Sequence, residues 1–378
     1  MDCIYLTALS SNVDEALNII YLQLESIFIY GNLNNTTEIL IYTTTGIKNK
    51  IEESELYNNS IKFEINNTIG ELVSFKLASL LKYSKILYIN NNVFVSGDVN
   101  KLFELLTDDK LYGFDDNRDV LLFTNKTDVD TATVDITLLA DYVSIPSIDA
   151  TKEVLYYQNT QPLLYNEMLA KFLKNKDDTI NAIITKTKNY ITAKLIPHIN
   201  DSCDILERSI FTLQHTAFND YFINRAKNIC SYVLNKNVKN VLEIGFNAGF
   251  SSLLMLMANP NLKVVSVDIG MHGYTVPCYN EMKTLFGDRI TLVIGDSMVA
   301  LPPINEKFDV INIDGGINME LVVNDTIHSY RLAKSKSIII MNNCSMNIIW
   351  CKYKELLGLK KLNVYTYQSD NFDSVYVQ

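Results

Sequence analysis

Val241-Leu242-Glu243-Ile244-Gly245-Phe246-Asn247-Ala248-Gly249-Phe250-Ser251 constrains the fold of this chain more than any other stretch. An apolar run ends on an acid, two glycines follow four residues apart, and a second apolar run begins. Glycine has no Cβ, so it permits a sharp turn and the close approach of another group. A buried strand that turns this tightly into a helix builds the carboxyl edge of a parallel sheet, where open α/β folds place ligands. Four further segments read alike: 263–268 ends at Asp268, 290–294 runs into Gly295-Asp296-Ser297, 308–313 meets Asp314, and 337–341 meets Asn342-Asn343. Strands alternating with helical stretches predict an α/β fold with a Rossmann-like parallel sheet. The alternating segments 362–367 and 374–377 predict a closing antiparallel hairpin.

The G-x-x-x-G spacing differs from the G-x-G-x-x-G that seats a pyrophosphate on a helix N-terminus. Glu243 stands where a ligand amine is welcome and a phosphate is not. S-adenosylmethionine carries an ammonium, a carboxylate and no phosphate, so it suits these residues better than a nicotinamide dinucleotide. Asp268 is placed to accept hydrogen bonds from the ribose hydroxyls, and Asp296 with Ser297 to meet the adenine edge. On the string 242–249, with Asp268-Ile269-Gly270 and Gly295-Asp296-Ser297, residues 218–378 resemble the class I S-adenosylmethionine-dependent methyltransferases. They are most similar to the small-molecule O-methyltransferases, a group that includes catechol- and sugar-methylating enzymes. The resemblance implies a cofactor site of Glu243, Gly245, Asn247, Gly249, Ser251, Asp268, Asp296 and Ser297.

It also implies where the methyl group goes. Many relatives bind a divalent metal, Mg²⁺ or Mn²⁺, that lowers the acceptor's pKa. The corresponding positions are Asp314, Asn342 and Asn343, of which one is a carboxylate. Sugar-methylating relatives read D-G-G-H or D-G-D-H, whereas this chain reads Asp314-Gly315-Gly316-Ile317. Isoleucine takes no proton, so Asp314 is the expected catalytic residue, with Asp325, His328 and His272 as secondary candidates. Asp309 begins its strand at the far end and reads as a surface acid, and Cys344 as a small packed residue.

The first half reads as a second α/β unit, with strands at 2–9, 38–44 and 61–65 and helices at 13–29 and 71–83. The stretch Lys85-Ile86-Leu87-Tyr88-Ile89-Asn90-Asn91-Asn92-Val93-Phe94-Val95, followed by a helix at 99–106, resembles glycosyltransferase family 8, which has a GT-A fold. Gln161-Pro162-Leu163-Leu164-Tyr165-Asn166 supports it, and His198, after a strand-like stretch, matches the family's late metal-binding histidine. The resemblance implies a nucleotide-sugar site at Asn90, Asn92 and His198. Asn90 and Asn92 replace the two aspartates of the metal-binding motif, and an amide oxygen is the weaker ligand for a hard cation. Residues 1–200 are thus expected to form a GT-A-like domain, either active or reduced to binding, and 201–378 the methyltransferase domain. The hinge is placed at 200–203, and 174–178 reads as a charged surface turn.

With 378 residues, 48% hydrophobic and 20% charged, the chain is globular and long enough for two domains. A net charge of −10 excludes nucleic acid and anionic membrane as main partners. No membrane-length apolar run or signal-peptide pattern is present, and the six cysteines form no C-x-x-C pair, so a cytoplasmic protein with reduced thiols is expected. Heavy use of Asn, Ile, Lys and Tyr fits an AT-rich genome such as that of a large DNA virus. The expected function is methylation of a sugar hydroxyl on a nucleotide sugar or glycan. Three alternatives remain: a bifunctional glycosyl- and methyltransferase, a non-catalytic glycan-binding scaffold, and a methyltransferase of phenolic small molecules. Homo-oligomeric assembly stays open.

Overall fold

The computed structural model describes residues 1–8, 12–65, 74–75, 80, 82–91, 93–106, 112–114, 117–124, 134–135, 143–145, 155–156, 165–202, 223–316, 318–342, 348–364, 366–369 and 372–378. The chain divides into two compact units, Met1–Asn175 and Lys176–Gln378. The division precedes the boundary expected at 200 and falls inside a helix, Tyr165–Tyr190. The expected charged turn at 174–178 is part of that helix, and Lys176 is fully buried. A charge buried so completely belongs to a partnered side chain, not to a surface loop.

In the first unit the elements are β1 (Asp2–Ala8), α1 (Val13–Tyr30), β2 (Glu38–Thr43), α2 (Thr45–Glu53), β3 (Ile61–Ile65), β4 (Ser74–Phe75), β5 (Lys85–Ile89), β6 (Phe94–Val95), α3 (Asn100–Leu105), β7 (Tyr112–Phe114), β8 (Asn117–Thr124), β9 (Val134–Asp135), β10 (Val143–Ile145) and β11 (Leu155–Tyr156). Asn12 caps α1 by accepting from the Glu15 N–H, and Asp14 and Glu15 in the first turn complement the helix dipole. The main sheet runs β10-β7-β8-β5-β1-β2-β3. It is parallel from β3 through β5, and β8 is antiparallel to β5. Of the helix expected at 71–83, Ser74–Phe75 is instead a strand paired with Val134–Asp135. That partner lies far along the chain, where local apolar spacing carries no information about it.

The second unit continues with α4 (Tyr165–Tyr190), a π-helical stretch at Ile191–Leu195, α5 (Ile196–Ser202), α6 (Ile223–Leu234), β12 (Asn240–Ile244), α7 (Phe250–Ala258), β13 (Lys263–Asp268), α8 (Thr275–Phe286), β14 (Ile290–Ile294), α9 (Ser297–Ala300), β15 (Phe308–Ile313), α10 (Met319–Leu332), β16 (Ala333–Asn342), α11 (Ile348–Leu356), β17 (Lys360–Lys361) and β18 (Phe372–Tyr376). The sheet order is β14-β13-β12-β15-β16-β18-β17, parallel except for β18. Leu242, Ile244, Ile311, Ile313, Ile339, Met341 and Trp350 form its core. From β12 the chain winds outward through β13 and β14, then returns to β15 on the other side of β12. The crevice at that reversal is where an α/β sheet receives its ligand. The closing hairpin is shorter than expected: its arms are Lys360–Lys361 and Phe372–Tyr376. The backbone of Tyr367 is taken by the Asn228 side chain, which donates to its carbonyl and accepts from its N–H, both at 2.8 Å. A residue bonded in this way leaves the ladder.

Candidate functional site

The reversal crevice is lined by the loop after β12 and the loop after β15. Gly245, Asn247 and Gly249 all have positive φ, at 94°, 54° and 79°, a conformation open to glycine and, less readily, asparagine. A Cβ on Gly245 would collide with the Asp314 carbonyl oxygen and lie 2.7 Å from its carbon. The Asp314 N–H donates to the Ile244 carbonyl at 2.8 Å. The glycine loop and Asp314 are therefore in backbone contact. A Cβ on Gly249 would meet the Phe246 ring at 2.7 Å and Met282 Sδ at 2.8 Å. Gly249 begins α7 without a side-chain cap, which leaves a helix N-terminus suited to an anion.

Asp268 ends β13 beside this loop. Its Oδ2 accepts from the Phe246 and Asn247 N–H groups at 2.8 and 2.7 Å, and its Oδ1 from the Gly270 N–H at 2.7 Å. The carboxylate thus shapes the loop, and with about four lone-pair sites it retains one acceptor position, on Oδ1. Asp296, exposed, caps α9 by accepting from the Met298 N–H at 2.9 Å. Nearby Asp325 is buried; burial raises its carboxyl above the ordinary range, and Ser297 opposes the rise. Around these ends Ile269, Met271, Ile294, Met298 and Val299 are exposed to between 40% and 76%. This apolar patch escaped the sequence reading, which followed the acids alone.

Glu243 is placed differently from the expectation. It has no exposed surface, and its oxygens accept from Ser251, from Ser252 at 2.5 Å, from Ser266 at 2.9 Å and from Asn312 at 3.4 Å. It supports the loop from behind and holds the Ser251 hydroxyl. Burial pushes its carboxyl up to about 7, against the hydroxyl hydrogen bonds. Ser266 and Asn312 pair in register with Glu243 on either side. Asn342 extends this polar row by donating to Asn312 Oδ1 at 2.8 Å and to the Ile313 carbonyl at 3.0 Å. A signal for it was present: Ser266 and Asn312 each stand two residues before a strand-ending acid, on the same face, in otherwise apolar strands.

Asp314 is ion-paired with Arg225 of α6. Burial raises its carboxyl above the ordinary range and the Arg225 charge opposes the rise. The other metal candidate described, Asn342, is 4% exposed, and its Oδ1 has no partner. Asn343, Ile317 and Cys344 lie outside the described residues. No cluster of three His, Cys, Asp or Glu suited to a metal occurs among the described residues. One carboxylate already bound to a guanidinium, with one neutral amide, does not fit a hard divalent cation.

Of the remaining candidates, His272 stacks on Tyr274 at 4.9 Å, and His328 accepts from Arg331 at 3.1 Å. Asp309 accepts from the Lys239 and Asn240 N–H groups at 2.9 Å and pairs with Lys334. In the first unit the Asn90 side chain accepts from the Asn91 N–H at 2.8 Å; Asn92 and 161–164 lie outside the described residues. His198 belongs to the second unit, on α5 and not after a strand, 3.9 Å from Glu281. The helical stretch before it is amphipathic, and its apolar residues mimicked a strand. A separate cavity of about 660 Å³, lined by Lys354, Lys361, Tyr367 and Phe372 among others, contains none of the glycine-loop residues.

Residues 242–344 match the family model of a methyltransferase domain. Among solved structures, the chain is similar to an O-methyltransferase from Bacillus cereus in complex with SAH, at 18% identity over 51% of this chain and 99% of that one, TM-score 0.35. It is also similar to TomG, an O-methyltransferase of Streptomyces achromogenes involved in tomaymycin synthesis and in complex with SAM, at 14% identity over 47% and 91%, TM-score 0.34. The SAH-bound methyltransferase PaMTH1 of Podospora anserina matches at 16% over 47% and 89%, TM-score 0.33. No curated protein matches the chain. Residues 242–344 of the second unit thus match a methyltransferase domain, and the sheet order and the glycine loop give that unit a Rossmann-like fold. No described helix is long and apolar enough to cross a membrane.

Proposed function

We propose that this protein methylates a hydroxyl of a small-molecule acceptor, a sugar in the first instance, with Asp314 receiving the proton. The backbone contact between Gly245 and Asp314 supports the reading, because it joins the glycine loop to the residue that bears the carboxylate. S-adenosylmethionine supplies an electrophilic methyl on its sulfonium. The N-terminus of α7 suits its carboxylate, the open acceptor position of Asp268 its ribose, and the apolar patch with Asp296 and Ser297 its adenine. Asn247, at the exposed tip of the loop, and Ser251, held by Glu243, complete the cofactor wall. Asp314 would take the proton that the acceptor hydroxyl gives up as it receives the methyl group. Positioning of the two reactants does most of the work in such a displacement.

The sugar assignment rests on the sequence of the first unit, whose 85–106 stretch resembles glycosyltransferase family 8. We assign it a sugar-binding role, with Asn90 and Asn92 as the residues that resemblance supplies; His198, in the second unit, is not among them. Calorimetric titration with S-adenosylhomocysteine tests the donor site: micromolar binding is expected, and binding no tighter than millimolar would remove the proposal. Asp314→Ala should abolish transfer while keeping that affinity. A thermal-shift screen of nucleotide sugars with the product bound tests the acceptor. Stronger stabilisation by phenols would reassign its class.

A further inference from the structure

At the acceptor end the Asp314 carboxylate is already ion-paired, and a second carboxyl group, the buried Asp325, packs against neighbouring Gly315. Arg225 reaches Asp314 from α6, a helix anchored by buried Ala226, Ile229, Cys230 and Val233. The Arg225–Asp314 pair carries no net charge of its own, and Asn342 offers a neutral amide only. The orientation of Asn342 is not interchangeable: the Ile313 carbonyl can only accept, so the amide nitrogen must face it and Oδ1 must face away. A dication approaching Asp314 would meet a carboxylate already occupied by a positive charge.

We propose that the Arg225 guanidinium is the resident cation of this site, occupying the place of a divalent metal, so that methyl transfer is metal-independent. Arg225 acts as a positioning residue: it fixes the Asp314 carboxylate by a charge-assisted hydrogen bond and excludes metal by like charge. Both side chains remain partly open, at 21% and 25%, so the pair borders the crevice and is not sealed in the core. This inference rests on the donor and acceptor reading above, but its test reads metal binding directly.

The experiment titrates Mn²⁺ into the full-length protein, followed by electron paramagnetic resonance, with and without S-adenosylhomocysteine. Wild type and Arg225→Lys should bind no Mn²⁺ below the millimolar range. Arg225→Ala should tighten Mn²⁺ binding by about tenfold or more, and Asp314→Asn in that background should remove the gain. Loss of packing alone would not create an Asp314-dependent metal site, so the gain separates positioning from structure. Micromolar Mn²⁺ binding by wild type that Asp314→Asn abolishes would overturn the proposal, as would no gain in folded Arg225→Ala. If that variant does not fold, the wild-type and Arg225→Lys titrations decide. Failure to bind S-adenosylhomocysteine would count against the donor reading, and the metal titration is interpretable without it.

Discussion

Alanine at Gly245 perturbs the contact on which the site is built, and its cost can be worked from the geometry. The left-handed backbone, at φ 94°, costs an L-residue roughly 1–2 kcal/mol. The added Cβ meets backbone atoms of Asp314 and Gly315, at 2.7 and 3.0 Å for the Asp314 carbon and the Gly315 nitrogen. No rotamer change relieves a backbone clash, so overpacking adds about 1–3 kcal/mol. The sum, about 2–5 kcal/mol, is a large part of a domain's stability of roughly 5–15 kcal/mol. Gly287 supplies the control: φ is 57° and ψ −131°, but nothing lies within 4 Å of its Cβ, so alanine there costs backbone strain of about 1–3 kcal/mol and no clash. At roughly 2–4 °C per kcal/mol for a domain of this size, scanning calorimetry should place Gly245→Ala about 10 °C below wild type and Gly287→Ala about 5 °C below. Gly245→Ala should also lose S-adenosylhomocysteine binding, and Gly287→Ala should keep it. A Gly245→Ala protein that melts no lower than Gly287→Ala and binds normally would refute the backbone contact.

Glu243 predicts a pH dependence. Its carboxyl is raised from 4.5 to about 7 in the folded state, so folding takes up a proton between those values. The stabilisation is full below the unfolded pKa of 4.5 and is lost as pH rises through about 7. It amounts to about 3 kcal/mol. Thermal melts should show the second unit weakening over that window, and Glu243→Gln should flatten the curve; an unchanged slope would contradict the burial argument. Asp268→Ala removes acceptors for the Phe246, Asn247 and Gly270 N–H groups. It should weaken S-adenosylhomocysteine binding about 10- to 100-fold by calorimetry, and unchanged affinity would remove Asp268 from the site.

What could be read in the sequence was what depends on neighbours along the chain. Strand β13 spans 263–268 as expected, and β14 and β15 follow within a residue, because apolar runs, turn glycines and terminal acids are local signals. Partners from elsewhere were hidden. Arg225 stands 89 residues from Asp314, and nothing in Ile223-Asn224-Arg225 announces it. Glu243 was expected to face a ligand because it ends a strand, yet its oxygens are claimed by serines of α7 and β13. The apolar residues near Asp268 and Asp296 were overlooked because an exposed isoleucine looks like a core one until burial is known.

The polar row from Ser266 through Glu243 and Asn312 to Asn342 crosses four strands of the buried sheet. Its members depend on one another: replacing one by a hydrocarbon strands a neighbour's donor or acceptor at about 1–3 kcal/mol, whereas replacing them all together can be nearly neutral. For an evolving lineage this is a ridge between two passable valleys. A wholly polar row and a wholly apolar row are both habitable, but the single-step mixtures between them are not. The row therefore acts as a ratchet on descent, and its four positions should change in concert or stay put.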